Sequence, residues 1–447
     1  MVPIRVKRGY DLKLTGAPTR EIRTIQNPAQ VAVIPCQIPF IRPRLAVAVG
    51  DSVRTGSVLF ADKRNPDVKF ASPGSGKVAR IDFGPRRVIQ SIVIDLDKTE
   101  RPELFATLTE AQLDDMDRSE LVDRILAGGL WPLIRALPYR DYAPPRSVPP
   151  TICVTLGSGE PFLPAADVYL HGREDLFAFG LKILSRLSEN QLVVAAHDDI
   201  ERQLPLLSDY MTHTVRGAYP AVDPGVVIYH AKSTPAENRA WFIDGQDVLL
   251  LAQLLKTGRY PTHRTMVVAG PMAQAPMHVE TRMGIPLADL VRGVEPATGC
   301  RYVVGGVLTG FAAGSDGYMG FYETALNLLP EGRDREFLAL FDPGYAKPSY
   351  SRAFLSALRT NSLTMDCNTH GGLRACIACN HCPAVCPVEI LPQLAYKSIL
   401  IDEVDEALAH GLLDCVQCGL CSYVCPSKLP LVETLTEARA AYYKEQT

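Results

Sequence analysis

The residues best placed to do chemistry are eight cysteines in the last fifth of the chain, where the spacing Cys-x2-Cys-x2-Cys-x3-Cys-Pro occurs twice. Cys376, Cys379, Cys382, Cys386 and Pro387 make the first run; Cys415, Cys418, Cys421, Cys425 and Pro426 make the second. Three thiolates at two-residue intervals can wrap one corner of an iron–sulfur cubane, and the fourth follows a turn that proline enforces. In two-cluster ferredoxins the fourth cysteine of each run serves the other cluster. The pattern therefore assigns Cys376, Cys379, Cys382 and Cys425 to one [4Fe-4S] cluster, and Cys415, Cys418, Cys421 and Cys386 to a second. Such centres move single electrons.

Other uses of cysteine fit less well. Structural zinc needs four ligands, commonly as two Cys-x2-Cys pairs, and has no use for the third cysteine of each run. A disulfide framework is unnecessary in 447 residues, which can bury a core without staples, and iron-binding thiolates call for a reducing compartment. Four cysteines lie outside the runs. Cys36, Cys153 and Cys300 stand among apolar neighbours and are expected to pack as buried thiols. Cys367 precedes the first run, has no place in the repeat and is read as structural.

The runs need elements to position them. The 28 residues between Cys386 and Cys415 read as helix: Leu391, Leu394, Ala395, Ile399, Val404 and Leu408 recur at three- to five-residue steps. Pro392 sits near the start and Gly411 can end the run. This resembles the helical two-cluster domain of respiratory flavoenzyme complexes. Ile377, Val385, Val388, Leu420 and Val424 are expected to keep water from the iron.

Upstream, the chain reads as a multidomain α+β protein. Residues 1–105 alternate strand-like runs with turns, and Val47-x-Val49-Gly50-Asp51-x-Val53 followed by Ser72-Pro73-x-Ser75-Gly76-x-Val78 resembles a biotinyl/lipoyl-type barrel-sandwich hybrid. In such domains a hairpin lysine can carry a swinging cofactor. Lys63 lies near that place, but Asn65-Pro66 lengthens the hairpin, so a docking or structural role is expected. Residues 106–150 read as a helical and proline-rich linker. Residues 151–260 alternate strand and helix, as in a Rossmann-like α/β layer. There Gly157-Ser158-Gly159 lacks the third glycine and the lysine of a phosphate loop and reads as a tight turn. Residues 261–335 resemble the soluble-ligand-binding (SLBB-like) β-grasp module, with a short helix near Leu287 to Val291. Residues 336–447 bring a helical lead-in and the two-cluster domain.

The bulk properties exclude some classes. The formal net charge is -3 with lysine and arginine scattered, so nucleic acid is not an expected partner. Met1 to Gly9 lacks the apolar stretch of a signal peptide. The longest apolar run, around Val248 to Leu255, is far short of the ~20 residues that cross a bilayer. A cytoplasmic chain, held on the inner face of the membrane only through partners, is the expectation.

Particular stretches resemble the NqrA component of the sodium-translocating NADH:quinone oxidoreductase (Nqr) family: Lys7 to Pro18, Gly129 to Pro138, Leu255 to Tyr260, Val268 to Pro271, Gly306 to Gly310 and Leu329 to Leu338. The resemblance implies an electron-transfer subunit of a membrane-bound, ion-translocating complex, with membrane-embedded partner subunits and quinone nearby. Well-known members of that family look cluster-free at the C-terminus. The complete cysteine runs instead resemble the RnfC component of the related Rnf ferredoxin:NAD oxidoreductase. RnfC-type chains carry a Gly-x-Gly-Gly-Ala-Gly-Phe-Pro loop for FMN and NADH, where this chain reads Ala127-Gly-Gly-Leu-Trp-Pro132. Bulky Leu130 and Trp131 stand where backbone would approach phosphate, so no FMN and no hydride chemistry are expected. Two other readings stay open: a component like RnfC, and a scaffold whose clusters are only structural. A soluble heterodisulfide-reductase-type enzyme leaves the first 340 residues without a purpose.

Overall fold

The computed structural model describes every residue except Asn27, Ser158, 201–203, 334–340, Arg352 and Thr447. Among the described residues the strands form four sheets. A four-stranded sheet (Gln30–Val33, Ile89–Leu96, Gly76–Phe83, Ser52–Val53) and a three-stranded sheet (Pro43–Leu45, Val58–Asp62, Lys69–Ala71) belong to the barrel-sandwich region. Alternation along their strands puts Val31, Leu59, Phe70, Val78, Ile92 and Ile94 in its core, where Phe60 stacks on Phe70 at 4.6 Å. The hairpin near Lys63 turns at Asn65, whose carbonyl accepts from Val68. Arg64 ties it down: its guanidinium meets Asp62 at 2.8 Å and Asp141 at 2.6 Å. Those contacts fasten the hairpin to strand Asp141–Tyr142.

The seven-stranded sheet runs in the order Val2–Arg5, His213–Arg216, Leu192–His197, Ile152–Leu156, Trp241–Asp244, Arg135–Ala136, Asp141–Tyr142. The first five strands are parallel and the last two antiparallel. Helix Glu174–Leu187 crosses from strand Ile152–Leu156 to its neighbour on one side, while strand Trp241–Asp244 lies on the other. The strand order thus reverses at Ile152–Leu156 and Trp241–Asp244, leaving a crevice beyond their carboxyl ends. Residues 106–150, read as a helical and proline-rich linker, supply helices Glu110–Asp115 and Arg118–Ala127 and, beyond that reading, two strands of this sheet. Leu130 and Trp131 are fully buried, and the Trp131 indole donates to the Ala143 carbonyl at 2.7 Å. That loop is filled by its own side chains.

A mixed six-stranded sheet follows, ordered Phe311–Ala313, Cys300–Val304, Ala325–Pro330, His263–Ala269, Met277–Arg282, Ile22–Thr24. The short helix Leu287–Leu290 covers it with Leu287 and Leu290. The first 25 residues form a strap across the molecule. Val2–Arg5 joins the seven-stranded sheet, Leu14 bridges to Leu363, and Ile22–Thr24 joins the six-stranded one. Gly16 lies at the crossing with φ +93°, where an added Cβ would fall 2.2 Å from the Gly270 carbonyl carbon; only glycine fits.

The lead-in to the cysteines is not the helix expected. Residues 334–340 lie outside those described, and from 342 to 375 the one helical segment among the described residues is the short 3-10 turn Leu355–Leu358. Between the runs the expected helix is two, Pro392–Leu400 and Val404–Ala409, broken where Asp402 takes φ 57°. Helix Leu431–Gln446 closes the domain. Val388, Ile390, Ala395, Leu412, Val416 and Leu435 share one core with Ile4, Val215 and Val226 of the seven-stranded sheet region. Among the described residues, no helix is long and apolar enough to cross a membrane.

Candidate metal centre

Each cysteine run folds the same way. In the first, Ala378 (φ 53°) and Asn380 (φ 59°) take left-handed conformations; in the second, Gln417 (φ 58°) and Gly419 (φ 80°) do so at the matching positions. Such turns point successive backbone N–H groups inward, which suits sulfur anions. A short helix starts after each turn, His381–Val385 and Leu420–Tyr423, and carries the third cysteine. Beyond each Cys-Pro a further left-handed residue, Glu389 or Lys428 (φ 57° in both), redirects the chain into the next helix. The domain is therefore a pseudo-twofold repeat.

That symmetry crosses the runs. A small cavity is lined by Cys376, Cys379 and Cys382 together with Cys425 from the other run, and Cys386 does not reach it although it is only four residues beyond Cys382. Ser427 secures the crossing: its carbonyl accepts from the Arg374 backbone N–H at 2.9 Å and its hydroxyl donates to the Ala375 carbonyl at 2.8 Å. Cys386 lies with the second run: Cys415, Cys418 and Cys386 bear electrostatically on Cys421, ahead of Cys382 from the first run. We call the first set the outer thiols and the second the inner ones.

Burial pushes the Cys382 thiol up to about 12 and Cys386 to about 11; Cys418 and Cys421 are raised further, again chiefly by desolvation. Left to themselves these thiols stay protonated, and coordination to iron is what would hold them as thiolates. Backbone N–H groups already aim at them, from Val388 and Ile390 to Cys386 and from Leu420 to Cys418. Thiolates on one tetrahedral zinc ion sit about 3.8 Å apart. Among the described residues no three of these sulfurs lie within 4.8 Å of one another; the one such set of metal-type ligands is His197, Asp198 and Asp199. Four thiols in each set, with backbone N–H groups aimed at their sulfurs, make a donor set that fits iron–sulfur clusters.

The two sets differ in surroundings. Cys379 is exposed, and Ile377 beside it is 67% exposed, so it does not exclude water as expected; Val385, Val388, Leu420 and Val424 are buried. The inner set is enclosed by the seven-stranded sheet region. The Tyr219 hydroxyl donates to the Cys418 carbonyl at 2.8 Å, Arg439 donates to the Cys415 carbonyl, and the His230 ring meets the Pro387 carbonyl at 2.9 Å. Gly225 lets Val416 approach, since a Cβ there would stand 2.8 Å from the valine methyl.

Sequence reasoning missed the crevice. A cavity of about 1090 Å³ opens beyond Thr155 and Asp244, at the reversal of strand order, and Cys418 lies on its wall. Arg135, stacked between Phe242 and Tyr322 at 4.6 Å from each ring, also lines it. Glu160, just past the Gly157–Gly159 turn, turns its carboxylate onto the backbone N–H groups of Leu308 (2.6 Å) and Thr309 (3.1 Å). That carboxylate ties the segment after the glycines to the backbone at 308 and 309. The signal open to sequence reasoning was the acidic residue following the glycines.

The other cysteines divide. Cys153 is buried as expected; Cys36 is exposed, in the 3-10 turn Pro35–Gln37 at the edge of its sheet; Cys300 and Cys367 are half-buried beside one another.

These features define a multidomain iron–sulfur protein of the electron-transfer class. Family models match as the NqrA N-terminal barrel-sandwich hybrid domain over residues 4–97, the NqrA second alpha/beta domain over 116–260 and a 4Fe-4S dicluster domain over 372–426. The chain is 34% identical over 413 residues to the NqrA component of the Na(+)-translocating NADH-quinone reductase of Pseudomonas aeruginosa (strain UCBPP-PA14), covering 92% of each. It is 33% identical to the same component in Vibrio anguillarum and 31% in Marinomonas sp. (strain MWYL1), again over 92% of each. The chain belongs to the NqrA family of the Na(+)-translocating NADH-quinone reductase. Its dicluster domain lies at the C-terminal end of that framework.

Proposed function

We propose that this chain relays single electrons through two [4Fe-4S] clusters as a subunit of a membrane-bound, ion-translocating NADH:quinone oxidoreductase. Cys376, Cys379, Cys382 and Cys425 hold one cluster; Cys386, Cys415, Cys418 and Cys421 hold the other. The observation that carries this reading is the cavity that gathers Cys425 with the first run and leaves out Cys386. When bound, each cluster supplies a one-electron couple within the broad range of about -700 to +450 mV. The residues do the rest: thiolates hold iron, left-handed turns aim N–H groups at sulfur, and Val385, Val388, Leu420 and Val424 shield the inner side.

Family membership supports docking onto other Nqr-type subunits, membrane-embedded ones included, on the cytoplasmic face. It also supports quinone as the two-electron partner, and the cavity walled by Cys418 is where we place that exchange. Within this reading the architecture divides into a barrel-sandwich unit (1–105), a connecting segment (106–150), a Rossmann-like unit (151–260), a β-grasp module (261–335) and the cluster domain (336–447).

The test is anaerobic purification with iron and sulfide analysis, then electron paramagnetic resonance after dithionite reduction. About eight irons and the spectrum of two magnetically coupled clusters are expected. Zinc, or clusters that fail to cycle reversibly, would leave only a scaffold.

A further inference from the structure

The pseudo-twofold relation between the two runs isolates one difference in charge. At the constant offset that superposes Cys376 on Cys415 and Cys386 on Cys425, helix Pro392–Leu400 matches the start of helix Leu431–Gln446, and Leu400 matches Arg439. Leu400 is 62% exposed, whereas Arg439 is 3% exposed and donates to the carbonyl oxygen of Cys415. Arg140 also bears on Cys415, but Asp223 holds it with both oxygens, at 2.7 and 2.8 Å. Among the described residues no carboxylate lies within ion-pair distance of Arg439. Arg8, which bears on Cys386, is likewise paired, with Glu389 at 3.6 Å. Of the three guanidinium groups that face the inner thiols, Arg439 is therefore the one left without a carboxylate among the described residues. The outer cavity is lined by no charged side chain: beside its cysteines stand Asn380, Gln393 and Ser427 with aliphatic residues.

Reduction adds one negative charge to a cluster. Burial disfavours that charge, and a cation fixed beside a ligand favours it, strongly so where water does not screen. We propose that Arg439 sets the potential of the inner cluster, offsetting the penalty that burial puts on its reduced state and making it the acceptor for electrons arriving at the outer one. The inference rests on the crossed ligation proposed above. Arg439 acts through the cluster and is a tuning residue. A guanidinium keeps its charge across the pH range in which proteins fold.

The test is a redox titration of the full chain, followed by electron paramagnetic resonance, with iron analysis of every sample. In Arg439→Gln the inner midpoint potential falls while the outer stays in place; Arg439→Lys, which keeps the charge, stays near the parent value. Asp223→Asn removes the opposing charge and keeps a helix N-cap, so it shifts the inner potential upward. An Arg439→Gln chain with full iron and an unmoved inner potential, or equal shifts in both clusters, would overturn the proposal. Should Arg439→Gln lose iron, Asp223→Asn decides: an unmoved or lowered inner potential overturns it. A parent chain carrying iron for fewer than two clusters fails the ligation reading itself, before any variant is made.

Discussion

Gly419 offers a sharp test of how the inner turn is built. It occupies the left-handed position that Asn380 fills in the first run, yet it cannot be exchanged freely for a side chain. At φ +80° an added Cβ would stand 2.9 Å from the Leu308 carbonyl oxygen and 3.1 Å from the Leu308 Cβ. In Gly419→Ala the conformation alone costs about 1–2 kcal/mol. Easing the contact with a backbone oxygen adds to that, for a total of about 2–3 kcal/mol. In Gly419→Asn the backbone term nearly vanishes, because asparagine tolerates the left-handed region, and about 1 kcal/mol of crowding remains. The matching change Asn380→Gly relieves no crowding and moves stability by less than about 1 kcal/mol. The assay follows loss of the cluster's visible absorbance against guanidinium, comparing midpoints at constant slope. Alanine and asparagine variants at 419 with equal stability would refute the conformational part; a parental Gly419→Asn would refute the contact with Leu308.

Other perturbations reach different links of the structure. Cys386→Ala should cut iron by about half and remove the signal of the cluster held by Cys415, Cys418 and Cys421, not that of its own run; iron analysis with paramagnetic resonance checks it. Arg64→Met strands Asp62, which is fully buried, and Asp141, and should cost about 3–5 kcal/mol in denaturant titrations. Trp131→Phe leaves the Ala143 carbonyl without its donor and should cost about 1–3 kcal/mol by the same assay. Burial raises the Glu323 carboxyl above its ordinary 4.5, against the opposing pull of Arg135 and Arg264. A raised carboxyl favours the folded state fully below its unfolded pKa and loses that contribution as pH climbs through the folded value. Parent stability should therefore fall across that rise, and Glu323→Gln should flatten the fall, read as denaturation midpoints against pH.

The two ends of the molecule were unequally legible. Thiol spacing is local, and eight cysteines in two equal runs made the 4Fe-4S dicluster domain legible before any fold was in view. The barrel-sandwich strands announced themselves through alternation and glycine corners. Within residues 106–150 the helices were legible and the strands were not, because prolines mark turns as well as linkers and strands such as Arg135–Ala136 are too brief to carry a period. Ile377 reads as a shield because it is apolar, but nothing in sequence tells which face of a turn meets solvent. The crevice was illegible because Arg135, Glu160, Asp244 and Cys418 come together only when three regions meet.

The strap has a consequence for how the chain is made. Among the described residues, strand Val2–Arg5 pairs only with His213–Arg216, and Ile22–Thr24 only with the strand beginning at Met277. At about 5–20 residues per second of synthesis, the earliest strand waits on the order of ten seconds or more for its partner to leave the ribosome. The second waits longer still. During that interval two strand edges stand open, and the sheets they complete cannot close. Assembly of this chain is therefore paced from its middle, and a bulky fusion ahead of Val2 would burden folding before it touched any electron.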